Sequence, residues 1–144
     1  MKVVNWTKLD GTEVTSRVEK HIGYQDMSAI AIAICDDVFK GGAYRPYMQE
    51  LSFWHYVLLN YTDIVFEDMD EMMANVKRGS LQRKVFSEID SSELEWIREQ
   101  AEDMVSYERN KGGMDRLGAL LVGLLAHSVK MDGESTTTES SEKK

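Results

Sequence analysis

Residues 26–40 read DMSAIAIAICDDVFK, and how this stretch folds decides whether the chain is helical or mixed. Ile30, Ile32 and Ile34 alternate as in a half-buried strand, while Met27, Ile30, Ile34 and Val38 keep the three-and-four spacing that lines one side of a helix. The ends decide between the two. Asp26 is a capping residue, Ala29, Ala31 and Ala33 favour helix, and Gly41-Gly42 supplies the left-handed backbone that closes one. The stretch is predicted to be a helix, apolar on nearly all sides and placed at the centre of the fold.

Outward from it, Pro46 can open a second helix, because its missing N–H would find no partner in a first turn. Over 46–61, Tyr47, Leu51, Trp54, Leu58 and Tyr61 recur at spacings of three and four, and Phe53, Tyr56 and Val57 widen the stripe. Glu67, Asp68, Asp70 and Glu71 then lead a short helix whose first turn carries the negative charge its dipole favours, and Gly79 is expected to end it. Residues 80–89 give Leu81, Val85, Phe86 and Ile89, a short amphipathic piece. Ser92 with Glu95 matches a capping box and marks the start of the next helix, which Gly112-Gly113 is expected to stop. A last helix is read over 114–130, where LGALLVGLLA is too short to span a bilayer. On the N-terminal side, Val3, Val4, Trp6, Leu9, Val14 and Thr15 flank Asp10-Gly11, the signal of a β-hairpin over 2–16. The expected fold is therefore mainly α: a helical bundle of about five helices with a short N-terminal β-hairpin. One domain covers 1–131, and a disordered acidic Ser/Thr tail covers 132–144.

Composition narrows the function classes. The chain has 144 residues, 42% hydrophobic and 29% charged, which suits a folded domain that needs no covalent staple. A single cysteine, Cys35, rules out an internal disulfide and a cysteine-based zinc cage. The formal charge of −8 disfavours nucleic-acid binding, and the basic stretch Lys77, Arg78, Arg83 and Lys84 reads as a solvated face. The first residues carry no signal-peptide core, so secretion is not expected.

Candidate chemistry is sparse. His21, His55 and His127 lie on separate segments without a second ligand at metal spacing on the same helix face, so no metal is expected. A thiolate at Cys35 is disfavoured by its apolar neighbours. Asp36-Asp37 and the run from Glu67 to Glu71 read as solvated faces and caps, and the latter lacks the spacing of a calcium loop. None of the glycines opens a phosphate-binding loop, so no cofactor is expected. An enzyme would require folding to gather His21 or His55 with carboxylates in one pocket. What stands out is apolar surface: Trp54, Tyr61, Met69, Met72 and Met73, with Leu117, Leu120, Leu121 and Leu124 of the last helix, form the candidate interface.

The order HIGYQDM, then an apolar helix, then GGAYRPYMQELSFWHYVLLNYTDI resembles small proteins encoded in phage genomes of Gram-positive hosts. The resemblance covers about residues 20–70 and rests on Ile22, Tyr24, Tyr44, Pro46, Tyr61, Thr62 and Ile64. It implies a virion structural or virion-assembly protein, or an accessory protein acting in the host cytoplasm. The expected function is a non-enzymatic interaction protein that binds itself or a larger assembly, without direct nucleic-acid or membrane contact. The alternative is an acidic inhibitor of a host nucleic-acid-handling or defence protein, which requires the carboxylates to gather on one face.

Overall fold

The computed structural model describes the backbone of residues 1–125 and the side chains of residues 1–111. Strands β1 (Lys2–Thr7) and β2 (Glu13–Val18) pair antiparallel, with Trp6 opposite Val14 and Val4 opposite Ser16. Between them Gly11 takes a φ of 93°, and the Asp10 carboxylate accepts from Thr12 N at 2.9 Å. Here the left-handed position requires glycine. Alternation then puts Trp6, Ser16 and Val18 inside, and the Trp6 indole N–H donates to Ser16 Oγ at 2.8 Å. A two-stranded hairpin needs something to lie on. Glu19 N donates to the Tyr61 carbonyl at 2.7 Å, and at the other end Leu9 N donates to Asn75 Oδ1 at 3.0 Å.

Helix α1 (Tyr24–Val38) confirms the helical reading of 26–40 and corrects its details. Met27, Ile30, Ala31, Ile34, Cys35 and Val38 are buried, whereas Ile32 is 50% exposed. The element is thus amphipathic rather than apolar all round, because a helix in a small bundle keeps one side in water. Asp26 does not cap it. Gly23 holds that position without a side-chain bond, and Asp26 sits in the first turn. Gly41 and Gly42 both adopt positive φ after the helix, as their sequence implies.

Helix α2 (Met48–Tyr61) begins two residues after Pro46 and buries Phe53, Trp54, Val57, Leu58 and Tyr61. Tyr47, assigned to its apolar stripe by spacing, is 64% exposed at the cap. Asp37 Oδ2 ties α1 to α2, accepting from Ser52 Oγ at 2.8 Å and Tyr56 Oη at 3.0 Å. Helices α3 (Met69–Arg78) and α4 (Leu81–Lys84) follow, then a short 3-10 turn over Phe86–Glu88. Leu81, Val85, Phe86 and Ile89 join the core that Trp6, Ile34 and Trp54 share.

Helix α5 (Ser91–Leu125) starts one residue before the expected cap. The Asp90 carboxylate receives Ser92 N at 2.8 Å, and Glu95 stands exposed, so the capping box at Ser92 and Glu95 is not formed. A carboxylate just ahead of the helix has taken the free N–H groups. The helix also runs through Gly112-Gly113, expected to stop it. A glycine in a helix interior costs about 1 kcal/mol relative to alanine and does not by itself break the helix. The two last helices expected from the sequence are thus one element as far as Leu125. The hairpin and the main hydrophobic core both belong to one compact unit, Met1–Val105. The expected tail over 132–144 lies outside the described residues. No described helix is long and apolar enough to cross a membrane.

Candidate functional site

The end of α2 shapes a cup. Thr62 stops the helix by turning its hydroxyl back to the Leu58 carbonyl at 2.7 Å and accepting from Ile64 N at 3.0 Å. Past that turn the extended chain alternates, sending Ile64 into the core and Val65 into solvent. Asp68 then caps α3, accepting from Glu71 N at 2.7 Å. The result is an open, mostly apolar cavity of about 200 Å³ lined by His55, Leu58, Leu59, Ile64, Val65 and Phe66, with Glu67 and Asp68 on its wall, and closed by Met69 and Met72. On its lip Val65 is 81% and Leu59 61% exposed. Phe66 holds the loop edge-on to Trp6, with ring centroids 6.1 Å apart.

Of the predicted interface residues, the structure brings Met69 and Met72 to this cup. Met73 is half-buried against the core. Trp54, Tyr61 and Met72 are themselves core residues, at 6%, 0% and 2% exposure, so these three present almost no surface. The reason is that an aromatic at helical spacing buries the larger area by turning inward. Leu117, Leu120, Leu121 and Leu124 lie outside the described side chains. Leu59, Val65 and Phe66 were not singled out in the sequence, although the apolar triplet Ile64-Val65-Phe66 just after a helix end was the available signal.

Folding also gathers titratable groups that sequence spacing separates. His21 Nδ1 lies 2.7 Å from Glu93 Oε2 and 3.5 Å from Asp90 Oδ2. The other Glu93 oxygen accepts from Tyr61 Oη at 2.8 Å and from Ile22 N at 3.2 Å. These three side chains offer ligand atoms within 4.8 Å of one another, a grouping missed because His21 and Glu93 are 72 positions apart. The chemistry favours a structural tie. Both Glu93 oxygens are engaged, Asp90 caps α5, and the positive end of that helix repels a cation. His21 itself is exposed and does not line the cup.

Tyr61 feels this arrangement. Burial pushes its phenol well above the usual tyrosine range, and the hydrogen bond to Glu93 and that carboxylate's charge push the same way. A raised folded-state pKa means stability fully present below the unfolded value, about 10, and lost as pH rises toward the folded one. Absorbance titration at alkaline pH is therefore expected to show Tyr61 ionising only as the protein unfolds, a step absent in Tyr61→Phe. Asp90 is held below the usual carboxylate range by the Ser92 hydroxyl and N–H.

The acidic run from Glu67 to Glu71 is occupied locally: Glu71 Oε1 accepts from Glu67 N at 3.1 Å, and its other oxygen lies 3.8 Å from Lys8. Comparison of the chain with protein-family models, with curated proteins and with solved structures gave no match. The molecule is thus defined by its own geometry, a mainly helical domain with an N-terminal hairpin and an apolar cup on its surface.

Proposed function

We propose that this chain is a non-enzymatic interaction protein that associates with a second copy of itself through the cup between α2 and α3. The observation that carries this reading is the pairing of two strongly exposed aliphatic side chains, Leu59 and Val65, with a mostly apolar hollow directly beside them. Water against such a surface is unfavourable, and clustered apolar residues around a cavity are what partner surfaces use. Met69 on the rim adds an unbranched side chain that adapts to a partner's shape. Two cups related by a two-fold axis would bury Val65 of each copy against the other. Taken with the resemblance over residues 20–70, the role we assign is that of a virion structural or virion-assembly component, working in the host cytoplasm or within the particle.

Light scattering across a concentration series tests it. The full chain is expected to form a dimer or larger species, and Val65→Asp is expected to weaken that association roughly tenfold or more, since a buried unpaired carboxylate costs far more than about 1.4 kcal/mol. Val65→Asp is expected to leave thermal stability unchanged, because its side chain meets solvent. A particle that stays monomeric at every concentration contradicts the proposal.

The acidic-inhibitor reading draws less support. Its carboxylates meet different parts of the fold: Glu71 near Lys8 at one end of β1, Glu88 at 3.1 Å from Lys2 at the other. Six residues of strand put about 20 Å between those ends.

A further inference from the structure

We propose that the groove between α2 and α5 is a docking site for a basic, lysine- or arginine-rich segment of a partner protein. It encloses about 490 Å³, more than twice the cup. Ile34 of α1, Phe53 of α2 and Ala101 of α5 are buried and close its floor, and the apolar part open to a partner is Pro46, exposed at one edge, with the aliphatic stems of the lining side chains. Four carboxylates, those of Glu50, Glu99, Glu102 and Asp103, line it against one guanidinium, that of Arg98.

That guanidinium offsets part of the rim's charge, chiefly at Glu50. Its Cζ sits over the Phe53 ring, 3.9 Å from the centroid, and 5.1 Å from the centroid of Trp54. Part of its attraction is thereby directed into the ring faces. Glu50 is engaged by Lys77 at 2.6 Å, and Glu102 accepts from Gln49 Nε2 at 2.7 Å. Glu99 and Asp103 make no ion pair among the described residues, and both are exposed one helical turn apart. The surface therefore combines a hollow with an uncompensated negative edge.

A lysine or arginine side chain fits both parts. Its methylene stem lies against apolar surface while its charged head stays at the rim. An acidic or phosphorylated segment would meet the carboxylates and be repelled, and a purely apolar one would strip water from them without replacement. Charge complementarity of this kind also steers encounter, in a chain whose net charge is −8. This site rests on its own observations and stands whether or not the cup self-associates.

Fluorescence anisotropy of a labelled synthetic helix of leucine and lysine, titrated with the full chain, tests it. Binding is expected to weaken roughly tenfold in Glu99→Lys/Asp103→Lys, and much less in Glu13→Lys/Asp36→Lys, which raises net charge equally at exposed positions outside the groove's lining. Loss of binding when leucine and glutamate replace leucine and lysine in the probe is also expected. Equal weakening by both double variants, no binding at all, or equal binding of the acidic probe would overturn the proposal. Circular dichroism of each variant separates lost binding from lost folding, and the association state of Val65→Asp reports on the cup alone.

Discussion

Trp54→Ala is expected to destabilise the domain by about 3–5 kcal/mol, the loss usual for emptying a buried aromatic site. Trp54 stacks on Phe86 at 4.5 Å between centroids and meets Phe53 edge-on at 4.9 Å. It thereby joins α2 to the turn after α4. Its indole N–H also reaches Glu50 at 3.3 Å. Domains of this size hold only about 5–15 kcal/mol in total, so a large fraction of the reserve rests on one side chain. Chemical denaturation followed by circular dichroism measures it. Trp54→Phe keeps most of the ring contacts and is expected to recover the greater part of the loss.

Glu93→Ala ranks next, at about 2–3 kcal/mol. One carboxylate oxygen receives both the Tyr61 hydroxyl and the Ile22 N–H, and the other faces His21. Removing the acceptor leaves the hydroxyl of a fully buried tyrosine unsatisfied, and that desolvation alone costs about 1–3 kcal/mol. The same deletion unties the segment between β2 and α1 from the first turn of α5. Glu93→Gln keeps an oxygen for the tyrosine and is expected to cost less. If Glu93→Ala unfolds at the same denaturant concentration as the parent, the tie has no energetic weight. Further out, the lowered pKa of Asp90 contributes stability present above the ordinary carboxylate range, about pH 4, and lost as pH falls through its folded value.

The elements legible in the sequence are those whose signals are local. Asp10-Gly11 between β-formers locates the hairpin, and the glycine pair at 41–42 closes α1 at positive φ, as glycine allows. The alternating isoleucines of 30–34 resolve into a helix because alanines and end residues outweigh a short period-two pattern. Errors arise where two local signals compete. At α5, Ser92 and Glu95 form a recognisable box, yet Asp90 lies two residues earlier and supplies the stronger acceptor. At 112–113 the glycines signal a stop, although their cost is small beside the continuity of a long helix.

The candidate site is harder to see, for a physical reason. Helical periodicity identifies what is apolar but not which apolar residues remain outside, so it offers Trp54, Tyr61 and Met72 as surface although they are core. Leu59 is exposed because it lies off the buried stripe of α2, whereas exposure at Val65 comes from a helix ending at Thr62 and an extended step after it, which no periodic pattern contains. The His21, Asp90 and Glu93 grouping, and the convergence of α2 with α5 around Arg98, depend on contacts between segments far apart in the chain. Such contacts become visible only once the core is assembled.

Amide hydrogen exchange of the full chain in dilute and concentrated solution puts the central claim to its most direct trial. Protection is expected to rise with concentration at residues 58–69, with no comparable change at the hairpin, and Val65→Asp is expected to abolish the rise. Exchange at 58–69 that is the same at both concentrations, or a rise that survives Val65→Asp, would contradict it.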